Sequence, residues 1–276
     1  MSAVRVSAVE YLNARPLVHG LDAYPDLFTV QFDIPANCAA QLHDRHVDLG
    51  LIPSIECQRS ADYRIVPDIG VVSTGPVASV ALFSDRPATA LRSIAVDVSS
   101  RTAVALLRVL CAEWFDIEPT FVTLRPDLDA MLKRCDAALL IGDKALYQEY
   151  ELNGLEKTDL GAEWTDMTGL PFVWAVWAGR HDAVTAEQID ALKTARDAGV
   201  AALDDIADRF TAGAFAGASP RKPGDESDER QAIAREYLRN NVSYELDDRG
   251  IAALEKFYAK AGDLQILSTV RPVKFF

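Results

Sequence analysis

The chain has 276 residues, 49% of them apolar, and its 28 Lys+Arg against 41 Asp+Glu give a formal net charge of −13. That length and apolar content suit a globular α/β protein with one large core or two smaller ones, and they exclude a disordered chain. The negative charge repels phosphate backbones and anionic membranes at long range, so neither nucleic acid nor membrane is an expected partner, and any anion site has to be a local cluster of donors.

The start of the chain, MSAVRVSAVEYLNARPL, lacks the long apolar stretch of a secretory signal and runs directly into a strand-like segment, which points to a cytoplasmic protein. No apolar run approaches the ~20 residues of a membrane span. The richest, Phe172 to Ala178, is strand-sized. Cys38, Cys57, Cys111 and Cys135 are scattered without a C-x-x-C pair, which reads as free, mostly buried thiols.

Short apolar runs alternate with helix-period segments, the pattern of βαβ units. Strands are expected at Val4–Val9, Phe28–Phe32, Val47–Ile52, Val80–Ser84, Ser93–Val98, Phe121–Leu124, Ala137–Ile141 and Phe172–Ala178, with helices between most of them. After the first strand, Tyr11 to Leu17 leads into a helix whose opening suits Pro16 near its first position. Asn13 then sits at the strand's carboxyl end, where a side-chain amide donates to a ligand or, equally, bonds its own backbone in a turn. Gly75-Pro76-Val77-Ala78-Ser79 breaks the chain just before Val80–Ser84, which makes Ser79 either a cleft hydroxyl or a turn serine.

The stretch DVSSRTA follows the fifth of these strands and opens a helix over Thr102 to Phe115. In that helix Ala103, Leu106, Leu107, Leu110, Cys111 and Trp114 keep the spacing of a buried face. Ser99, Ser100 and Thr102 therefore lie beside unsatisfied backbone N–H groups, an anion-binding arrangement, although plain N-capping needs only one such hydroxyl. Gly142 and Asp143 end a later strand: the glycine permits close approach of a ligand to the backbone and the aspartate can cap the next helix. From about Thr185 the pattern is helical, with Ile189, Leu192, Leu203 and Ile206 in one stretch and Ile251, Leu254 and Phe257 in another. Between them Ala216 to Glu229 has the composition of a solvated loop.

VDLGLIPSIE (Val47 to Glu56) and DAALLIGDKAL (Asp136 to Leu146) share a layout of Asp, apolar strand, turn-forming residue and helix start. Two similar α/β lobes with a cleft between them account for this. The expected division is 1–85 for the first part of lobe I, 86–177 for lobe II and 178–276 for the rest of lobe I, crossing near Ser84 to Arg92 and Trp177 to Asp182. Only His19, His43, His46 and His181 are available for imidazole chemistry, and the i, i+3 pair His43/His46 has no third ligand in a zinc pattern, so no metal site is expected. No G-x-S-x-G, P-loop or G-x-G-x-x-G occurs, which disfavours covalent and nucleotide chemistry; no cofactor is expected.

Taken in order, YLNARPL, VDLGLIPSIE, PDIGVVSTGPVASV, SSRTAVALL, ALLIGDKAL and DLGAEWTDMTGLPFVWAVWAGR resemble the chorismate dehydratase family of the futalosine route to menaquinone, over roughly Val4 to Arg180. The resemblance implies a type II periplasmic-binding-protein-like fold of two lobes with a central cleft. It also implies a hydro-lyase that converts the small molecule chorismate into 3-[(1-carboxyvinyl)oxy]benzoate and water. By the same resemblance Asn13 and Ser79 are the catalytic pair that fixes the enolpyruvyl carboxylate, and Ser99, Ser100 and Thr102 hold another polar end of the substrate. Gly142 and Asp143 complete the expected binding set, and a homodimer is left open. Two rivals share the scaffold: a solute-binding or effector-sensing protein without catalysis, and the related 1,4-dihydroxy-6-naphthoate synthase. The second would carry a catalytic histidine in the second lobe, and no histidine occurs between His46 and His181.

Overall fold

A computed structural model describes residues 3–97, 99–150, 154–215 and 227–276. Val98 and most of the expected loop Ala216 to Glu229 lie outside these residues, and Ser227 already opens a helix.

Among the described residues, ten strands form two five-stranded sheets of matching design. The first contains β1 (Val4–Val9), β2 (Phe28–Asp33), β3 (Leu49–Pro53), β4 (Tyr63–Ser73) and β10 (Phe172–Arg180) in the order β2-β1-β3-β10-β4. The second contains β5 (Val80–Ser84), β6 (Ser93–Asp97), β7 (Thr120–Leu124), β8 (Ala137–Ile141) and β9 (Glu156–Asp159) in the order β7-β6-β8-β5-β9. In each, the first strand runs parallel to its two neighbours, and a strand from the far side of the crossing is inserted antiparallel beside the third: β10 against β3, and β5 against β8.

This exchange corrects the expected crossing points. Val80–Ser84 pairs residue for residue with β8, from Val80 opposite Ile141 to Ser84 opposite Ala137, so it belongs to the second sheet. Phe172–Arg180 pairs within the first, with a register shift at Trp174. The chain therefore passes between sheets at residues 74–79 and 169–171. An apolar run announces a strand, but only the ladder decides which sheet receives it.

The likeness between VDLGLI and DAALLI has a structural cause. Asp48 accepts the backbone N–H of Arg5 at the start of β1 (3.0 Å), and Asp136 accepts those of Arg92 and Ser93 at the start of β6 (2.9 and 3.0 Å). Each aspartate thus sets the register of its sheet's first strand against the third.

Two strands were not expected. β4 contains Pro67 and Gly70, and Asp68 takes a positive φ of 66°. Such a sequence reads as a turn, but β4 is an edge strand and its ladder with β10 is interrupted by register shifts, where proline and a kink are tolerated. β9, the short and polar EKTD, is also an edge strand.

The helices are α1 (Pro35–His43), α2 (Arg101–Glu113), α3 (Leu128–Leu132), α4 (Asp143–Leu146), α5 (Leu160–Thr168), α6 (Ala186–Ala201), α7 (Leu203–Thr211), α8 (Ser227–Glu236) and α9 (Asp248–Asp263). The segment after β1 is a 3₁₀ helix, Leu12–Val18, with Pro16 inside it instead of at its start. Trp114, expected on the buried face of α2, lies past its last turn, is 44% exposed and donates its indole N–H to Glu163 at 2.6 Å. The helix ends one residue before the periodicity does, which turns that side chain outward.

Period-two alternation divides the second sheet's side chains between two cores. Val80, Leu82, Ile94, Val96, Leu139 and Ile141 join the main core with α2, whereas Ala81, Phe83, Ala95, Ala138 and Leu140 pack with Leu128 and Met131 on the other face. The four cysteines are free and buried, and burial pushes the thiols of Cys38, Cys57 and Cys111 up to about 12.

Candidate active site

Between the carboxyl ends of the parallel strands of both sheets lies a cavity of about 560 Å³, counting the part that opens to solvent. The carboxyl ends of an open sheet are where small-molecule clefts form. Its walls are largely apolar. The first sheet supplies Val9, Leu51, Pro53, Val71 and Trp174, and the second supplies Val80 and Ile141. The polar lining is concentrated in Asn13 and in Ser99 to Thr102.

The three hydroxyls at the start of α2 are not equivalent. Ser99 Oγ and N–H both donate to Asp97, at 2.7 and 2.9 Å, and Thr102 Oγ1 accepts the backbone N–H of Ile55 at 3.2 Å. Ser100 stands at the N-cap without capping the helix through its side chain; it is 5% exposed and lines the cavity, and its Oγ has no partner among the described residues. A buried hydroxyl left without a partner costs about 1–3 kcal/mol, and a ligand that accepts its hydrogen recovers that cost. The open N-terminus of this 13-residue helix favours a negative charge at the same place.

Arg101 is the cation on the cavity wall. Its guanidinium reaches Glu56 Oε1 at 3.5 Å, and the other oxygen of Glu56 lies 2.6 Å from His43 Nε2. His43 Nδ1 in turn meets the Tyr63 hydroxyl at 2.6 Å. Burial alone would raise the Glu56 carboxyl, but the His43 hydrogen bond and the Arg101 and Arg59 charges together hold it below its ordinary value. The charge on the cavity wall is thus fixed from behind by a buried carboxylate of the 3₁₀ turn after β3.

Opposite α2, the loop after β1 places Tyr11 and Asn13 on the wall. Gly142, at φ 63° and ψ −148°, brings its backbone against the Tyr11 ring, where a Cβ would stand 2.7 Å from Tyr11 Cδ2. Only glycine adopts that backbone region freely. Asp143 does not line this cavity. It is buried, and its Oδ1 accepts the Leu12 N–H at 3.1 Å, so it latches the β1 loop to the second sheet. Burial pushes its carboxyl up to about 7, against the opposing effect of the Leu12 hydrogen bond and the Arg15 charge.

Ser79 lies just behind the lining, 1% exposed, and its Oγ is 2.7 Å from the Tyr237 hydroxyl. The crossing segment that carries it is held on several sides. Asp159, which also caps α5 at Gly161 and Ala162, accepts the N–H groups of Val77 and Ala78 (3.0 and 2.6 Å), and Lys157 donates to Ala78 O at 2.6 Å. Gly142 N–H donates to Ser79 O at 2.8 Å. The structure therefore gathers Asn13, Ser99, Ser100, Thr102 and Gly142 on one cavity and sets Ser79 and Asp143 in its supporting layer.

Sequence reasoning missed Tyr237, which reaches the site from the helical remainder of the chain, and Glu56, which reads as the end of a helix start. Of the aromatics, Tyr11 and Trp174 line the cavity, whereas Trp164 is fully buried against Phe172 and Phe257.

A family model described as menaquinone biosynthesis matches residues 4–263. The chain belongs to this family. A chorismate dehydratase of Thermus thermophilus is 31% identical over 215 residues, 72% of this chain and 78% of that protein. One from Campylobacter jejuni is 29% identical over 173 residues, 60% of this chain and 63% of that protein. Among solved structures, the alkanesulfonate-binding protein SsuA of Xanthomonas axonopodis superposes with a TM-score of 0.68 at 18% identity, covering 99% of this chain and 96% of its own. A Candida albicans protein described as having the generic periplasmic binding protein fold gives 0.65 at 12% identity, over 100% and 98%. At such identities these likenesses establish the fold alone, and it is the two-lobed α/β fold that the resemblance implied.

Proposed function

We propose that this member of the menaquinone-biosynthesis family is a chorismate dehydratase, a hydro-lyase that forms 3-[(1-carboxyvinyl)oxy]benzoate and water. The observation that carries the reading is the pairing of the unpartnered Ser100 hydroxyl and Arg101, at the open start of α2, with Asn13 across an apolar-walled cavity. A compact dicarboxylate with an apolar ring fits that distribution: donors at its charged ends and a dry wall around the ring.

The chemistry is an elimination. The C–H bond at the ring carbon bearing the enolpyruvyl ether breaks, its electron pair enters the ring, and the neighbouring C–O bond breaks as hydroxide departs and takes up a proton to leave as water. Aromatisation supplies the drive. The protein's part is to fix one conformer, exclude water and place donors where negative charge grows on the ring carboxylate as the proton leaves. Among the described residues lining the cavity there is no carboxylate and no imidazole. Asp97 spends both oxygens on Ser99, and Asp143 is turned towards Leu12. A carboxylate of the substrate, held by the same donors, is the base this arrangement supports.

In this reading Asn13 contacts the enolpyruvyl carboxylate with Ser79 supporting it, and Ser100, Arg101 and the α2 N-terminus take the ring carboxylate. The two sheets frame two lobes that share the cavity as their cleft. The reaction belongs to the futalosine route and takes place in the cytoplasm; among the described residues no helix is long and apolar enough to cross a membrane.

The test is a single-turnover incubation of purified protein in excess over chorismate, followed by chromatography with ultraviolet detection. The expected result is stoichiometric conversion to the aromatic enol ether without added metal. Chorismate that is bound but recovered intact would instead establish a receptor.

A further inference from the structure

β10 carries a bulge where it meets the cavity. Phe172 stands opposite Ser73 of β4 and Val173 opposite Val72, but the next pair is Ala175 with Val71, so Trp174 is an extra residue with no counterpart on β4. In an unbroken strand successive side chains leave on opposite faces, and only one of Trp174 and Ala175 would reach a given cavity; here both line it. Bulges beside active sites re-aim a side chain in this way. The indole is then fixed at two places. Its N–H donates to Ser73 Oγ, at the end of β4, at 2.9 Å, and its ring meets Phe172 in an edge arrangement with centroids 4.4 Å apart. Indole has one donor, and with that donor spent inside the protein, what Trp174 offers the cavity is apolar aromatic surface.

We propose that Trp174 is a specificity-determining residue that packs against the six-membered ring of the substrate and holds it more strongly as the ring becomes aromatic. The inference rests on the reading of this cavity as a chorismate site. In the elimination two adjacent tetrahedral ring carbons become trigonal, and a puckered diene becomes a flat benzene ring. Aromatic rings attract one another beyond the area they bury, so a contact with indole strengthens along the reaction. A contact that is stronger in the transition state than in the substrate raises kcat more than it lowers KM. Trp174 would therefore read the ring, while Asn13, Ser100 and Arg101 read the carboxylates at its edges.

The experiment compares the parent with Trp174→Phe and Trp174→Leu. It measures kcat and KM for chorismate, the affinity for the aromatic product, Tm, and indole fluorescence on addition of that product. The other three tryptophans do not line the cavity: Trp114 is exposed, and Trp164 and Trp177 are fully buried. The product should change the fluorescence of the parent. Trp174→Phe should abolish that change while keeping kcat and product affinity within about twofold, because a flat ring remains. Trp174→Leu should lower both roughly threefold to tenfold, the scale of one aromatic pair, with KM within about twofold.

A parent that gives no fluorescence response, or a response that survives in Trp174→Phe, overturns the inference. So does Trp174→Leu with full kcat and full product affinity. In each of these cases conversion of chorismate by the parent leaves the catalytic reading standing, whereas a parent that does not convert it removes that reading. Should Trp174→Leu not fold, the fluorescence of Trp174→Phe decides alone: loss of the response supports the ring contact, and its survival sinks it.

Discussion

Asp143 offers the sharpest thermodynamic test of how the β1 loop is latched. Burial raises its carboxyl from the ordinary 3.8 to about 7 in the folded protein. Between those values the unfolded chain releases a proton that the folded protein retains, so rising pH favours unfolding, and the cost is complete above about pH 7. At about 1.36 kcal/mol per pH unit the interval sets a ceiling near 4 kcal/mol. Asp143→Asn keeps an oxygen for the Leu12 N–H, now 3.1 Å from Oδ1, and removes the ionisation. Urea unfolding of both proteins at pH 4, 5.5 and 7.5 should show the variant gaining on the parent as pH rises, by about 2–4 kcal/mol across the range. A difference that stays flat with pH would refute a buried carboxyl that is neutral in the folded state.

Ser100→Ala should lower kcat/KM for chorismate roughly tenfold to hundredfold, the loss of a hydrogen bond to a carboxylate, while Tm stays level or rises because the parent hydroxyl has no partner among the described residues; unchanged kcat/KM would remove Ser100 from the site. Arg101→Gln should raise KM more than it lowers kcat and flatten the dependence of kcat/KM on salt, which steady-state kinetics from about 20 to 300 mM salt would reveal. Gly142→Ala should destabilise by about 1–3 kcal/mol from backbone strain, and the new methyl should push Tyr11 into the cavity and depress turnover. Normal thermal melting with normal kinetics in that variant would contradict the close approach.

The strand content, the helical final third, the apolar face of α2 as far as Cys111 and the hydroxyl-rich start of that helix were legible because each is a local pattern. The paired layout of VDLGLI and DAALLI was legible too, since the aspartate that clips the neighbouring strand lies in both motifs. β4 was not, because Pro67 and Gly70 carry opposite local signals and only its edge position makes them tolerable. Asn13, Ser99, Ser100 and Thr102 could be named as site residues beforehand, but not their differing duties. Ser99 and Thr102 are spent on Asp97 and Ile55, and that division exists only once α2 is docked against the first sheet.

What the sequence determined alone is a consequence of short-range physics: periodicity, capping and turn chemistry act within a few residues and survive without a partner. What the tertiary structure decided are the long-range facts: which sheet received Val80–Ser84, how Asp143 came to hold Leu12 from 131 residues away, and how Tyr237 arrived beside Ser79 from 158 residues away. Those outcomes depend on burial and on which polar group reaches a donor first inside a closed core, and neither quantity exists until distant segments have packed together.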